Sequence, residues 1–190
     1  MPPHDRLKIA FIGSHGVGKT TLCYGLAARL KASDHAVEVV HEVARRCPLP
    51  INEATSVASE SWILHTQIAE EILAQQRYPV VICDRSALDN YVYLLLTAPA
   101  RPELDELVDA WMRTYDLLVH VPVIEEPNPD GVRSADPTFQ LAVERRLDRE
   151  LAQRGLTAFH LLAAQRAAWL DAVEDAVRER LRPAQLEIPI

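Results

Sequence analysis

The stretch Phe11–Leu22, FIGSHGVGKTTL, sets three glycines, one lysine and two threonines between an apolar run and the opening of a helical pattern. Within it, Gly13-Ser14-His15-Gly16-Val17-Gly18-Lys19-Thr20 matches GxxxxGK(S/T) at every fixed position. Glycines let the backbone turn its N–H groups inward as an anion nest, and the helix that follows adds the positive end of its dipole. In such a loop Lys19 reaches the β- and γ-phosphates and the Thr20 hydroxyl holds magnesium. Residues Gly13 to Thr21 are therefore the expected site for ATP and Mg2+, with His15 following the backbone path of the loop.

Working outward, short β-branched runs alternate with longer helical patterns. LKIAFIG (7–13), VEVVHE (37–42), PVVICD (79–84), LLVHVPV (117–123) and LTAFHLL (156–162) read as strands. Helical spacing covers about 19–32, 60–77, 88–97, 103–114, 138–155 and 164–181, with Pro102 as a first-turn residue and Gly155 as a stop. In the second helix Trp62, Ile63, Ala69, Ile72 and Leu73 recur at that spacing. Apolar strands separated by helices imply a mostly parallel five-stranded sheet between helical layers, an α/β three-layer sandwich; the resemblance given below to P-loop NTPases of the nucleotide-kinase-like kind implies the same fold. Ligands of such sheets bind at the carboxyl ends of the strands. That edge collects the glycine loop, Glu42, Asp84 and the residues after Val123.

The 190 residues, 48% hydrophobic, suit a single domain. A net charge of −7 argues against a surface built to neutralise nucleic-acid phosphates. Three lysines stand beside seventeen arginines, so Lys19 is not in the loop through abundance. Cys23, Cys47 and Cys83 have neither disulfide nor zinc spacing and suit a reducing compartment. With no signal core and no apolar run long enough to span a bilayer, a cytoplasmic protein without a membrane partner is expected.

Asp84 ends the apolar third strand, where a carboxylate reaches the metal shell beside the phosphate loop. Arg85 can clamp a substrate phosphate or hydroxyl, or make a surface ion pair. Asp89 and Tyr93, four apart on one helix face, can line a pocket. Glu42 ends the second strand and can take the proton of an attacking hydroxyl or orient the acceptor. Arg45 stands one helical step further and can bind the acceptor. The segment IEEPNPDGVRSADP reads as an exposed excursion, and with the helix behind it forms an expected mobile lid over about 124–150. Arg133, Arg145 and Arg149 would travel with that lid and stabilise a transferring phosphoryl group; Glu144, Asp148 and Glu150 equally fit an ordinary solvated face.

With GSHGVGKTTL, HEVARR, HTQIAEE, CDRSALDNYVY and VPVIEEPNPDGVRSADP in place, the chain resembles the P-loop nucleoside and nucleotide kinases. Within them it looks like the small AAA-type ATPase family typified by the ribosylnicotinamide kinase domain of bacterial NAD regulators. The likeness spans nearly the whole chain. It implies that Asp84 serves magnesium or acts as base, that Glu42 contacts the acceptor and that Gln67 faces the acceptor pocket. Residues 47–59 carry no aromatic side chain to stack a nicotinamide or a base. The resulting expectation is an Mg- and ATP-dependent kinase acting on a small acceptor, a nucleoside or a nucleotide, with a homodimer left open. A regulatory ATPase working with a partner, or a kinase of DNA bases or ends, are the alternatives. A guanine switch is disfavoured because the chain has no NKxD and no DxxG after the third strand.

Overall fold

The computed structural model describes residues 6–125, 134 and 136–181. Arg133 and most of the segment 126–135 lie outside the described residues, and with them part of the lid expected over about 124–150.

β1 (Leu7–Ile12), β2 (Val37–Val40), β3 (Val80–Asp84), β4 (Leu117–His120) and β5 (Phe159–His160) form one parallel sheet, ordered β2-β3-β1-β4-β5. Parallel neighbours need crossovers. These are supplied by α1 (Lys19–Ala32), α2 (Val57–Arg77), α3 (Ala87–Thr97), α4 (Pro102–Met112) and α5 (Pro137–Gln153), with α6 (Trp169–Leu181) closing the described chain. Successive strand residues point to opposite faces. Ile9 and Phe11 pack with α1 and α6, whereas Ala10 and Ile12 pack with α2 to α5. The result is the expected three-layer α/β sandwich.

Several boundaries differ from the sequence reading. β2 ends at Val40, and residues 43–46 form a 3-10 turn that carries Glu42 and Arg45 off the sheet edge. α2 starts three residues earlier than expected because Ser56 and Ser59 cap it reciprocally. The last helix is preceded by a 3-10 segment, Ala163–Ala168. On α2 the buried face consists of Ser59, Glu60, Ile63, Leu64, Gln67, Glu71 and Ala74, while Ile72 and Leu73 are 45% and 57% exposed. The helix turns its polar residues inward because a charge waits there.

That charge is Lys8, buried near the start of β1. Its Nζ donates to Glu71 Oε2 at 3.0 Å and lies 4.4 Å from the ring centres of both Trp111 and Tyr115. Glu71 also accepts from Trp111 Nε1, the Tyr115 hydroxyl and Gln67 Nε2, at 2.7 to 2.9 Å. A buried ion pair survives only when its remaining lone pairs are satisfied in this way. Cys23, Cys47 and Cys83 are free thiols. No described helix is long and apolar enough to cross a membrane.

Candidate active site

Register places the site. β1 and β3 pair Phe11 with Asp84, so the chain leaves both strands on the same edge, within two residues of Gly13. Gly13 has φ +134°, and a Cβ there would come within 2.4 Å of the Val121 carbonyl oxygen. Only glycine fits. Gly16 and Gly18 also adopt positive φ, and both are exposed at the loop's mouth.

Lys19 is buried and folds back over the loop, donating to the carbonyls of Gly13 at 2.7 Å and Ser14 at 2.5 Å. Burial, then the nearby Arg85 charge, lowers its pKa from 10.5 to about 8, against the pull of Asp89, Asp84 and Glu42. An ammonium held this way is costly until an anion arrives. The Thr20 hydroxyl donates to Asp84 Oδ2 at 2.6 Å. Among the described residues no group of three or more His, Cys, Asp or Glu side chains could cage a metal. A hydroxyl and a single carboxylate instead fit magnesium, which keeps waters and takes one or two protein oxygens together with substrate phosphates. The donor pair Thr20 and Asp84 therefore suits that ion.

Beyond Asp84 the backbone is strained. Arg85 has φ +93°, rare for a residue with a side chain. Its carbonyl accepts from Gln67 Nε2 at 2.8 Å, and its own amide donates to the Phe11 carbonyl at 3.2 Å. The strained turn swings the guanidinium towards Glu42: Nε donates to Oε1 at 2.7 Å, and Nη1 reaches the Tyr93 hydroxyl at 3.4 Å. Arg45 Nε donates to the other Glu42 oxygen at 2.8 Å. A narrow cavity between the loop and the strand ends is lined by His15–Thr20 together with Glu42, Asp84 and Arg85. A second one continues from Glu42 and Arg85 past Asn90 and Tyr93 to Glu60 and Ile63. A wider opening, about 650 Å³, starts at Thr20 and Asp84 but runs out along the β2 edge to Leu73 and Arg77. It touches the phosphate loop at one end only.

The other residues singled out from sequence take different places. Asp89 does not line the second cavity; it accepts from the Gly13 amide at 2.9 Å and from Ser86, tying the loop to the start of α3. Tyr93 does line it, and its hydroxyl also meets His15 Nδ1 at 3.1 Å. Gln67 lies behind the cavity, held by Glu71, Asn90 and the Arg85 carbonyl, and positions that turn. Arg145 and Arg149 are exposed on α5.

What α5 presents to the loop is Gln140 and Glu144. Glu144 Oε2 accepts the Ser14 amide at 3.0 Å, Gln140 Nε2 donates to the His15 carbonyl at 2.8 Å, and Ser14 Oγ donates to the Gln140 carbonyl at 2.8 Å. Glu144 Oε1 lies 3.0 Å from His120 Nε2 at the end of β4. Burial opposes a charged His120, but the contact with Glu144 outweighs it and raises the pKa. The sequence reading passes over Gln140 and offers Glu144 only as part of an ordinary solvated face. Their signal was present, because they stand four apart beside the buried stripe Val143, Leu147 and Leu151.

A family model described as an AAA domain matches residues 8–168. The chain belongs to that family. No curated protein matches it. Among solved structures, the deoxyadenosine kinase of M. mycoides superposes with a TM-score of 0.66 at 14% identity, over 91% of this chain and 100% of that one. NadR in complex with NR gives 0.71 at 21% identity, over 98% of this chain but 55% of that chain, so the present chain spans about half of NadR. Thymidylate kinase from Ehrlichia chaffeensis gives 0.63 at 17% identity, over 93% and 99%. The architecture of this AAA-family chain is thus that of the P-loop nucleoside and nucleotide kinases.

Proposed function

We propose that the chain, acting as one domain, is a magnesium- and ATP-dependent kinase that moves the γ-phosphoryl group to a hydroxyl of a small acceptor, a nucleoside or nucleotide. One observation carries this reading: the cavity that opens on the phosphate loop is walled on its far side by Glu42 and Arg85, a buried acid–base pair. An ATPase whose product is movement has no need of a second polar wall facing the first.

Loop amides and Lys19 hold the polyphosphate, and Lys19 exchanges its carbonyl partners for phosphate oxygens. Thr20 and Asp84 would hold the cation, whose positive charge offsets the charge on the phosphate oxygens. Glu42 accepts the proton of the acceptor hydroxyl as that oxygen bonds to the γ-phosphorus; the bond from phosphorus to the β–γ bridging oxygen breaks, and ADP leaves with the electron pair. Arg85 orients Glu42 and supplies positive charge beside the transferring group. The neighbouring folds include a deoxyadenosine kinase and a thymidylate kinase, whose names give acceptors of this class.

Incubation with Mg-ATP and a panel of nucleosides, nucleotides and sugars, read by mass spectrometry, tests the proposal. A product heavier by one phosphoryl group is expected, and it should vanish with EDTA. Release of free phosphate at one rate whatever acceptor is present would rule it out.

A further inference from the structure

Glu60 is 3% exposed, on the first turns of α2, and it lines the cavity that runs on from Glu42 and Arg85. Its Oε1 accepts from Thr55 Oγ1 at 2.8 Å, whereas Oε2 is fully buried and accepts no hydrogen bond among the described residues. Buried polar atoms are nearly always partnered, so an orphan carboxylate oxygen in the wall of a cavity calls for a missing donor. The groups facing it are Arg85 from the end of β3, Glu42 from beyond β2, Asn90 and Tyr93 from α3, and Asn52 from the loop before α2. Among the described lining residues Arg85 brings the one positive charge, and Glu42 already meets it at 2.7 Å while its other oxygen accepts from Arg45 Nε at 2.8 Å. Glu60 is left with no charged hydrogen-bond partner among the described residues. Ile51, Ile63 and Ala44 supply apolar wall for the body of a ligand.

We propose that Glu60 is a specificity-determining residue whose Oε2 accepts an N–H or O–H of the acceptor's ring, so that the site selects an acceptor of nucleoside type carrying such a donor. This rests on the kinase reading above for the place of the acceptor hydroxyl, at Glu42. With the hydroxyl there, the remote part of the acceptor extends along the cavity towards Glu60. Burial raises the Glu60 pKa from 4.5 to about 7, against the pull of Thr55 and Arg85. A bound donor favours the ionised form, so the acceptor binds more tightly as pH rises through that value.

The test compares wild type, Glu60→Gln and Glu60→Met on adenosine, guanosine, cytidine, thymidine, ribosylnicotinamide and the corresponding 5′-monophosphates. Transfer from ATP and calorimetric binding without ATP are both read. For the best nucleoside, wild-type KM should fall about tenfold between pH 6 and pH 8, the span set by one carboxyl titrating near 7. Glu60→Gln should lose that slope, and Glu60→Met should raise KM at least about tenfold with kcat within about twofold, a loss of remote binding rather than of chemistry. Melting temperatures at or above wild type would show that both variants fold. An unchanged KM in Glu60→Met, a pH slope kept in Glu60→Gln, or no nucleoside bound by the wild type would each overturn the inference. Nucleoside binding that depends on Glu60 without any transfer would sustain it and overturn the kinase reading alone.

Discussion

Arg85 and Glu42 stand 43 positions apart in the chain, yet Nε and Oε1 meet at 2.7 Å with both side chains buried. The pair exists because Arg85 accepts a left-handed backbone that Gln67 clamps from behind. Strain held by a buried amide marks a place where side-chain direction matters more than backbone ease.

Glu42→Gln keeps the shape and removes the base. Turnover with the preferred acceptor should drop by on the order of 10²- to 10⁴-fold, while KM for ATP stays within about twofold. Steady-state kinetics with each substrate varied separately reads the split. A comparable loss in ATP affinity would show that Glu42 serves the phosphate loop instead.

ATP affinity should depend on pH through Lys19. Its ammonium has a pKa of about 8 in the ligand-free loop, and phosphate oxygens favour the charged form. Affinity is then flat below about pH 8 and falls by up to tenfold per unit above it. The same group costs folding stability below 8, and that cost is relieved as pH rises from 8 towards 10.5. Calorimetric titration from pH 6.5 to 9.5 measures the slope, and Lys19→Met should remove it.

Lys8 and Glu71 make a wholly buried ion pair 63 positions apart. Lys8→Met should cost about 3–5 kcal/mol, because Glu71 then keeps an uncompensated charge. Replacing both by apolar residues should cost less than the sum of the two single changes. Urea unfolding of the four proteins gives the coupling directly.

Glu60 predicts a stability change in the acid range. Its carboxyl holds a proton more tightly folded, near 7, than unfolded, near 4.5. The contribution is fully present below 4.5 and is lost as pH rises through 7, a decline on the order of 3 kcal/mol. Glu60→Gln should be less sensitive to pH by that amount, as chemical denaturation at a series of pH values would show.

The glycine loop was legible because everything it needs is contiguous: three glycines whose torsions a strand-to-helix turn requires, then a lysine and a threonine that open α1. The parallel sheet was legible from strand runs spaced by helices. Gln67 and Asp89 were picked out, but their places were not. Helical spacing says which residues share a face without saying what that face meets, and both proved to position backbone behind the cavity. Ile72 and Leu73 look like core by spacing and lie outside, since α2 turns its polar face to Lys8.

Sequence by itself determined the phosphate cradle and the layer order of strand and helix, because backbone torsion preference and apolar periodicity are local properties. Only the tertiary structure decided that Glu144 caps the Ser14 amide from 130 positions away, that Arg145 and Arg149 face solvent, and that Glu60 is left with one bare oxygen in a cavity wall. The phase at which a helix docks fixes which of its polar side chains lose water, and burial rather than residue type then sets their partners and their charge.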